Sequence, residues 1–473
     1  MRNAFSLAMC FLLGVPCVML ASATARAAER PNLVMIFIDD MGYGDIGPYG
    51  STLNETPNLD TMATQGMKLT SFYAAPVCSA SRAQLMTGSY APRVSVPGVF
   101  FPAARNGLNP AEHTVAEYLK DLGYATICVG KWHLGDQPEF LPTRQGFDGY
   151  LGIPYSNDMG RTSAETGKRV HPLVRDGEVA ELLENEDQRR ITRLYTEEAV
   201  KFIETNKDQP FFLYLPHTAM HVPLYPHEDF VGTSDNGKYG DWIAEVDWSV
   251  GQVLDTLRRL KLEKNTLVLF TSDNGPWASK GKNGGVSGPL RGSKGGTFEG
   301  GVREPTIAWW PGKIEAGSVC DAVAGTTDVL PTFVSLAGGK PRDDVKIDGK
   351  DISPLLLGKT TESPHEAWFY YNGRRLKAVR CGPWKLALHG QSLGMGIGNQ
   401  PEEVKRGGRL YNLDEDIGET TDVADEHPEV VARLKKLAEA MAADIGDGKS
   451  GPGVRPAGSV RNPTTLFPTK GRR

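Results

Sequence analysis

The chain has 473 residues, 40% hydrophobic and 23% charged, an ordinary globular composition that excludes a disordered or collagen-like protein. Fifty-two basic against 57 acidic side chains leave a formal charge of -5 without a long basic run, so nucleic acid is not an expected partner. Fifty-four glycines and 32 prolines suit a loop-rich α/β enzyme better than a helical bundle, and no repeat of about 20–50 residues is present.

The first element is a leader. Arg2 precedes an apolar run over residues 4–20, interrupted by Gly14 and Pro16, and Ala25, Arg26 and Ala27 form a small-x-small cleavage site. A cleaved secretory signal over residues 1–27 is therefore expected, giving an exported (periplasmic or secreted) chain with no stable membrane insertion. The competing reading, a retained anchor, needs about 20 uninterrupted apolar residues, and Pro16 breaks a run already shorter. Cleavage leaves 50 basic and 57 acidic side chains, a charge of -7, and four cysteines, Cys78, Cys128, Cys320 and Cys381. Their spacing defines neither a disulfide framework nor a zinc site. Cys128 reads as a buried small hydrophobe, whereas Cys78 stands in a polar stretch between Pro76 and Arg82 where a core role is less natural.

Short β-rich runs at 33–38, 125–129, 211–215 and 267–270 alternate with helical patterns at 111–122, 195–206 and 242–260. This predicts a large, mostly parallel sheet sandwiched by helices. The runs end in chemistry: Asp39 and Asp40 follow the first, Lys131 and His133 the second, His217 and His221 the third, Asp273 and Asn274 the fourth. In open α/β sheets ligands bind beyond the carboxyl ends of the strands, so one crevice should collect all four sets. Residues 280–301 hold nine glycines and read as a loop that comes close to a ligand. Beyond the catalytic domain of residues 28–358, strands at 367–371, 377–380 and 384–387 and a helix at 428–443 predict a smaller α+β domain over 359–445, with residues 446–473 a disordered tail.

Asp39, Asp40, Asp273 and Asn274 offer only oxygen ligands, a set that selects Ca²⁺ or Mg²⁺ over zinc. Each pair alone is also common in plain turns. Cys78 precedes a short helical stretch at 83–86 and so lies near a helix N-terminus, which favours an oxyanion, with Arg82 four residues on and able to share its face.

The segment Cys78, Ser79, Ala80, Ser81, Arg82, followed by Thr87 and Gly88, resembles the signature of type I sulfatases, in which the cysteine is oxidised to Cα-formylglycine. Four further motifs stand in family order: Asn32 to Asp40, Gly130 to Gly135, Thr271 to Gly275 and Phe298 to Pro305. Residues 151–156 and 290–294 are most similar to the branch of arylsulfatase A and N-acetylgalactosamine-6-sulfatase. One departure is Ala80, where the signature most often has Pro or Ser.

The resemblance implies an alkaline-phosphatase-like fold and a calcium-dependent sulfuric ester hydrolase acting on a sulfated carbohydrate or aryl sulfate, with a formylglycine-generating enzyme as maturation partner. It implies that Asp39, Asp40, Cys78, Asp273 and Asn274 hold one Ca²⁺, with Mg²⁺ the lesser choice. Arg82 and Lys131 would steady the modified residue, His133 would sit beside its hydroxyl, and His221, Ser156 and Lys294 would contact the sulfate or the leaving oxygen. Without the resemblance, His221 is equally a structural histidine and Lys294 a solvated lysine. Two other readings stand beside this one: a phosphate or phosphonate monoester hydrolase of the same superfamily, and a non-catalytic binder of sulfated glycans should Cys78 remain a thiol.

Overall fold

The computed structural model describes residues 30–163, 166–397 and 408–467; the expected leader lies outside them. Eleven strands form the main sheet: β1 (Asn32–Ile38), β2 (Met67–Leu69), β3 (Ala125–Val129), β4 (Gly149–Gly152), β5 (Arg161–Thr162), β6 (Arg169–Arg175), β7 (Glu178–Glu184), β8 (Phe211–Pro216), β9 (Thr266–Ser272), β10 (Thr306–Trp309) and β11 (Ser318–Cys320). Their spatial order is β11-β2-β10-β9-β1-β8-β3-β4-β6-β5, with β7 paired to β6. The central five, β9-β1-β8-β3-β4, are mutually parallel, and antiparallel pairs frame them on both sides.

The continuous apolar run of β1 follows from its burial on both faces. Leu33, Met35 and Phe37 point into one core with the helices Val115–Asp121 and Val329–Leu336, while Val34, Ile36 and Ile38 point into a second core with Ile191–Thr205 and Gly237–Arg259. The expected helix at 111–122 begins only at Val115. Thr114 caps it: its hydroxyl accepts from Glu117 N at 3.3 Å while the Glu117 carboxylate accepts from Thr114 N at 2.7 Å.

The smaller domain has four antiparallel strands, β12 (Trp368–Asn372), β13 (Arg375–Cys381), β14 (Trp384–Ala387) and β15 (Arg409–Asn412), covered by the helix Pro428–Asp444. The expected disordered tail is corrected over residues 446–467, which pack back on the catalytic domain. Gly458–Ser459 pairs with Asn106–Gly107, Arg455 forms an ion pair with buried Glu112 at 2.8 Å, and the Phe467 ring stacks 5.9 Å from that of Tyr155. Glycine and proline counts suggested a loose segment, whereas specific polar and aromatic anchors hold it. No helix of the described residues is long and apolar enough to cross a membrane.

Candidate active site

The carboxyl ends of β1, β3, β8 and β9 bring their polar residues to one buried site, with His217 as the exception. Asp39 Oδ, Asp40 Oδ, Cys78 Sγ and Asp273 Oδ all offer atoms within 4.8 Å of one another, and all four residues are buried. Asp40 N donates to Asp273 Oδ1 at 3.3 Å and Asn274 Nδ2 to Asp40 Oδ1 at 2.7 Å, so the β1 and β9 ends are stitched together. Asp40 reaches the site with a φ of 57°, a left-handed turn that swings its side chain to the same side as Asp39.

Each carboxylate has its own buried cation. Arg82 Nη2 lies 2.7 Å from Asp273 Oδ2, Lys294 Nζ 2.7 Å from Asp40 Oδ1, and Lys131 Nζ is paired with Asp39 Oδ2. Desolvating three acids and three bases together is tolerable because the charges cancel at contact distance. Burial, reinforced by Asp39, raises the Asp273 carboxyl above the usual carboxylate range, with Arg82 opposing the rise. Lys294 is driven up by Asp40 against the opposing effect of burial, and stays charged.

Cys78 is the first residue of the helix Cys78–Thr87, earlier than the sequence expectation, and its Sγ contacts Asp39 Oδ1 at 3.4 Å. Burial, then Asp273 and Asp39, push its thiol well above the ordinary cysteine value. An unmodified Cys78 is therefore a neutral thiol and a poor nucleophile. Among the described residues all four cysteines are free.

His133 follows Gly130, where a Cβ would meet Pro216 O at 1.9 Å; only glycine lets β3 turn there. His133 Nε2 faces Phe100 O at 3.0 Å, which places the proton on Nε2 and leaves buried Nδ1 an acceptor without a protein partner. Burial, Lys131 and Arg82 hold its pKa well below the usual histidine value, so the ring is neutral. His221 Nδ1 donates to Val222 O at 2.7 Å, and its Nε2 lies 3.7 Å from Asp40 Oδ2. Burial and Lys294 lower its pKa to about 4. Ser156 is buried with an unpartnered Oγ, one residue before Asn157, whose Oδ1 lies 3.2 Å from His221 Nδ1.

His217 departs from the expected convergence. Its Nε2 meets Ser249 Oγ at 3.1 Å on the helix Gly237–Arg259, and burial lowers its pKa to about 3; it is an interior histidine. Three further groups belong to no motif, although residues 96–106, 155–158 and 277–283 read as loops that could face a substrate: Asn157 behind His221, the Phe100 carbonyl behind His133, and Trp277. The Trp277 ring lies 4.4 Å from Lys294 Nζ and 5.3 Å from the His221 ring.

The fit to a hard cation rests on the donors. Three carboxylates converge with Asn274, whose buried Oδ1 has no hydrogen-bond partner in the protein. All these groups are oxygen donors, as Ca²⁺ or Mg²⁺ requires, and no imidazole nitrogen stands among them.

A mixed, mostly parallel α/β sheet whose strand ends gather acids, bases and a helix-start cysteine places a candidate active site at the carboxyl ends of its strands. The sequence profile of the Sulfatase family matches residues 31–339, and that of the C-terminal region of aryl-sulfatase matches residues 363–453. The chain belongs to the sulfatase family and is an arylsulfatase-like enzyme. It is 41% identical to N-acetylgalactosamine-6-sulfatase of Rattus norvegicus over 430 residues, covering 86% of this chain and 79% of the relative. It is 39% identical to human arylsulfatase A over 462 residues, 90% of each chain. The crystal structure of PsFucS1 sulfatase from Pseudoalteromonas sp. superposes with a TM-score of 0.82 at 28% identity, covering 90% of this chain and 92% of that one.

Proposed function

We propose that this sulfatase is exported after cleavage near Ala27 and removes sulfate from a sulfated carbohydrate, using Cys78 converted to Cα-formylglycine and one Ca²⁺ held by Asp39, Asp40, residue 78, Asp273 and Asn274. The observation that carries this reading is the set of three carboxylates around Cys78, each matched by a buried cation. The modified residue, hydrated, would supply a hydroxyl nucleophile on a carbon able to regenerate an aldehyde, and a bound ion would supply positive charge beside the sulfuryl oxygens.

The chain's own groups complete the chemistry. Arg82, Lys131 and Lys294 offset charge on the sulfuryl oxygens, each well-placed group contributing a few kcal/mol in so dry a site. Neutral His133, with Nδ1 free to accept, takes the proton of the second hydroxyl of residue 78. His221 presents Nε2 towards the leaving oxygen; an arriving sulfate anion raises its basicity, so that it can carry the proton the departing alcohol needs. Ser156 Oγ supplies a hydrogen bond to the sulfate.

The relatives' name makes a 6-sulfated N-acetylgalactosamine unit the first substrate to test. Sulfate release from a panel of sulfated glycans and aryl sulfates, by protein made in a host with a formylglycine-generating enzyme, checks the reading. Turnover of phosphate or phosphonate monoesters alone would replace it with the other hydrolase class.

A further inference from the structure

The glycine-rich segment that carries Lys294 is held from the smaller domain on both sides of that lysine. Before it, Arg291 Nη1 donates to Glu419 O at 2.7 Å. At it, Met395 N donates to Lys294 O at 2.7 Å, and Asn372 Nδ2, at the end of β12, donates to Gly295 O at 2.8 Å. After it stands a buried charge cluster. Lys385 Nζ, on β14, donates to Thr297 O at 2.8 Å and to Glu299 Oε1 at 2.9 Å, and lies 2.8 Å from Glu419 Oε1. Glu419 Oε2 in turn accepts from Glu299 N at 2.6 Å. Lys385, Glu299 and Glu419 are all 0% exposed.

We infer that Lys385 is a positioning residue for Lys294, and that the smaller domain is thereby an integral part of the sulfate site. This rests on the role given to Lys294 above. A loop of such glycine content has no intrinsic reason to hold one conformation. The cations of the site act through placement, and a displacement of about 1 Å can remove much of their effect. A buried lysine between two carboxylates contributes little net stability but fixes geometry, since every alternative arrangement leaves a buried charge unpaired. Burial alone would raise the Glu299 carboxyl, yet Lys385, Arg303 and Arg380 hold it at about 2, so it stays the anionic hub of the cluster.

The test is a double-mutant cycle on the full chain, with Lys385→Met made in wild-type and Lys294→Ala backgrounds and two readouts, kcat/KM for nitrophenyl sulfate and calorimetric affinity for inorganic sulfate. The expected result is a loss of about tenfold or more in the wild-type background and less than about twofold in the Lys294→Ala background. Equal losses in the two backgrounds, or no loss in the first, would overturn the inference. Should Lys385→Met not fold, Asn372→Ala enters the same cycle, because it deletes the bond to Gly295 without unpairing a buried charge. Its expected loss is about threefold, again confined to the Lys294-containing background. A wild-type chain that turns over no sulfate ester would sink the functional reading instead, and the affinity arm then decides the positioning question alone.

Discussion

Lys294 straddles the carboxylate of Asp40, its Nζ 2.7 Å from Oδ1 and 2.8 Å from Oδ2, and both residues are buried at the mouth of the acidic cluster. Asp40 is also a proposed cation ligand, so the ammonium stands beside the proposed ion site.

That arrangement predicts selectivity. Sulfate monoesters carry one negative charge, whereas phosphate monoesters are mostly dianions at neutral pH, and the proposed single metal ion with three cations would lack the second metal that phosphoryl transfer often exploits. With paired sulfate and phosphate esters of one phenol, kcat/KM should favour the sulfate in wild type. Lys294→Ala should lower kcat/KM for the sulfate about 10²-fold, through both KM and kcat. Faster hydrolysis of the phosphate by wild type would move the chain to the phosphatase branch.

Cys78 should carry the aldehyde. Its buried thiol, raised by burial and by Asp273 and Asp39, cannot act as a thiolate at neutral pH. A mass spectrum of the Cys78 peptide should show the formylglycine form, and Cys78→Ala should abolish turnover with Tm nearly unchanged. Full activity in Cys78→Ala would end the covalent mechanism.

One Ca²⁺ per chain is the expected metal content. Chelation should lower Tm together with activity, because an ion bound only by the folded chain stabilises it by mass action, and added Ca²⁺ should restore both. Asp273→Ala should abolish stoichiometric binding; it also strands Arg82, whose guanidinium reaches Asp273 Oδ2 at 2.7 and 3.1 Å. Stoichiometric zinc in protein from its own host would discard the ligand assignment.

The part of this site that lies on strand ends was readable from the chain. Runs such as 33–38 are apolar without alternation because both faces are buried, and each stops at residues proposed to do the chemistry. His217 shows the limit: it ends the same kind of run as His221 yet faces the second core, since the backbone turn after β8 decides which histidine enters the site. Contributions by backbone, such as Phe100 O, leave no mark on residue type. Lys385 reads as an ordinary strand lysine, and only the packing of one domain on the other buries it against Glu299 and Glu419. The fourth strand of that domain, β15, and the anchored residues 446–467 were likewise invisible, because long-range partners rather than local pattern hold them.

Far from the cluster, Glu245 offers a stability prediction with a definite sign. It lies on the helix Gly237–Arg259 with 0% exposure; Oε2 accepts from His227 N at 2.9 Å, and Oε1 has no partner. Burial raises its carboxyl from 4.5 to about 8, with the His227 amide and Arg193 opposing. A raised acid binds its proton more tightly in the folded state, so its protonation favours folding fully below the unfolded value near 4.5. That contribution falls as pH rises and is lost through about 8. Between about pH 5 and 8 the loss is of order 3 kcal/mol, reduced by whatever relaxation lets water reach Oε1. Glu245→Gln keeps the acceptor for His227 N and removes the titration. Thermal unfolding should therefore show the variant a few degrees more stable than wild type near pH 8, with the difference shrinking towards pH 5. A Tm difference that is constant across this range would mean that Glu245 does not change its protonation between pH 5 and 8 and is not a buried acid with a raised pKa.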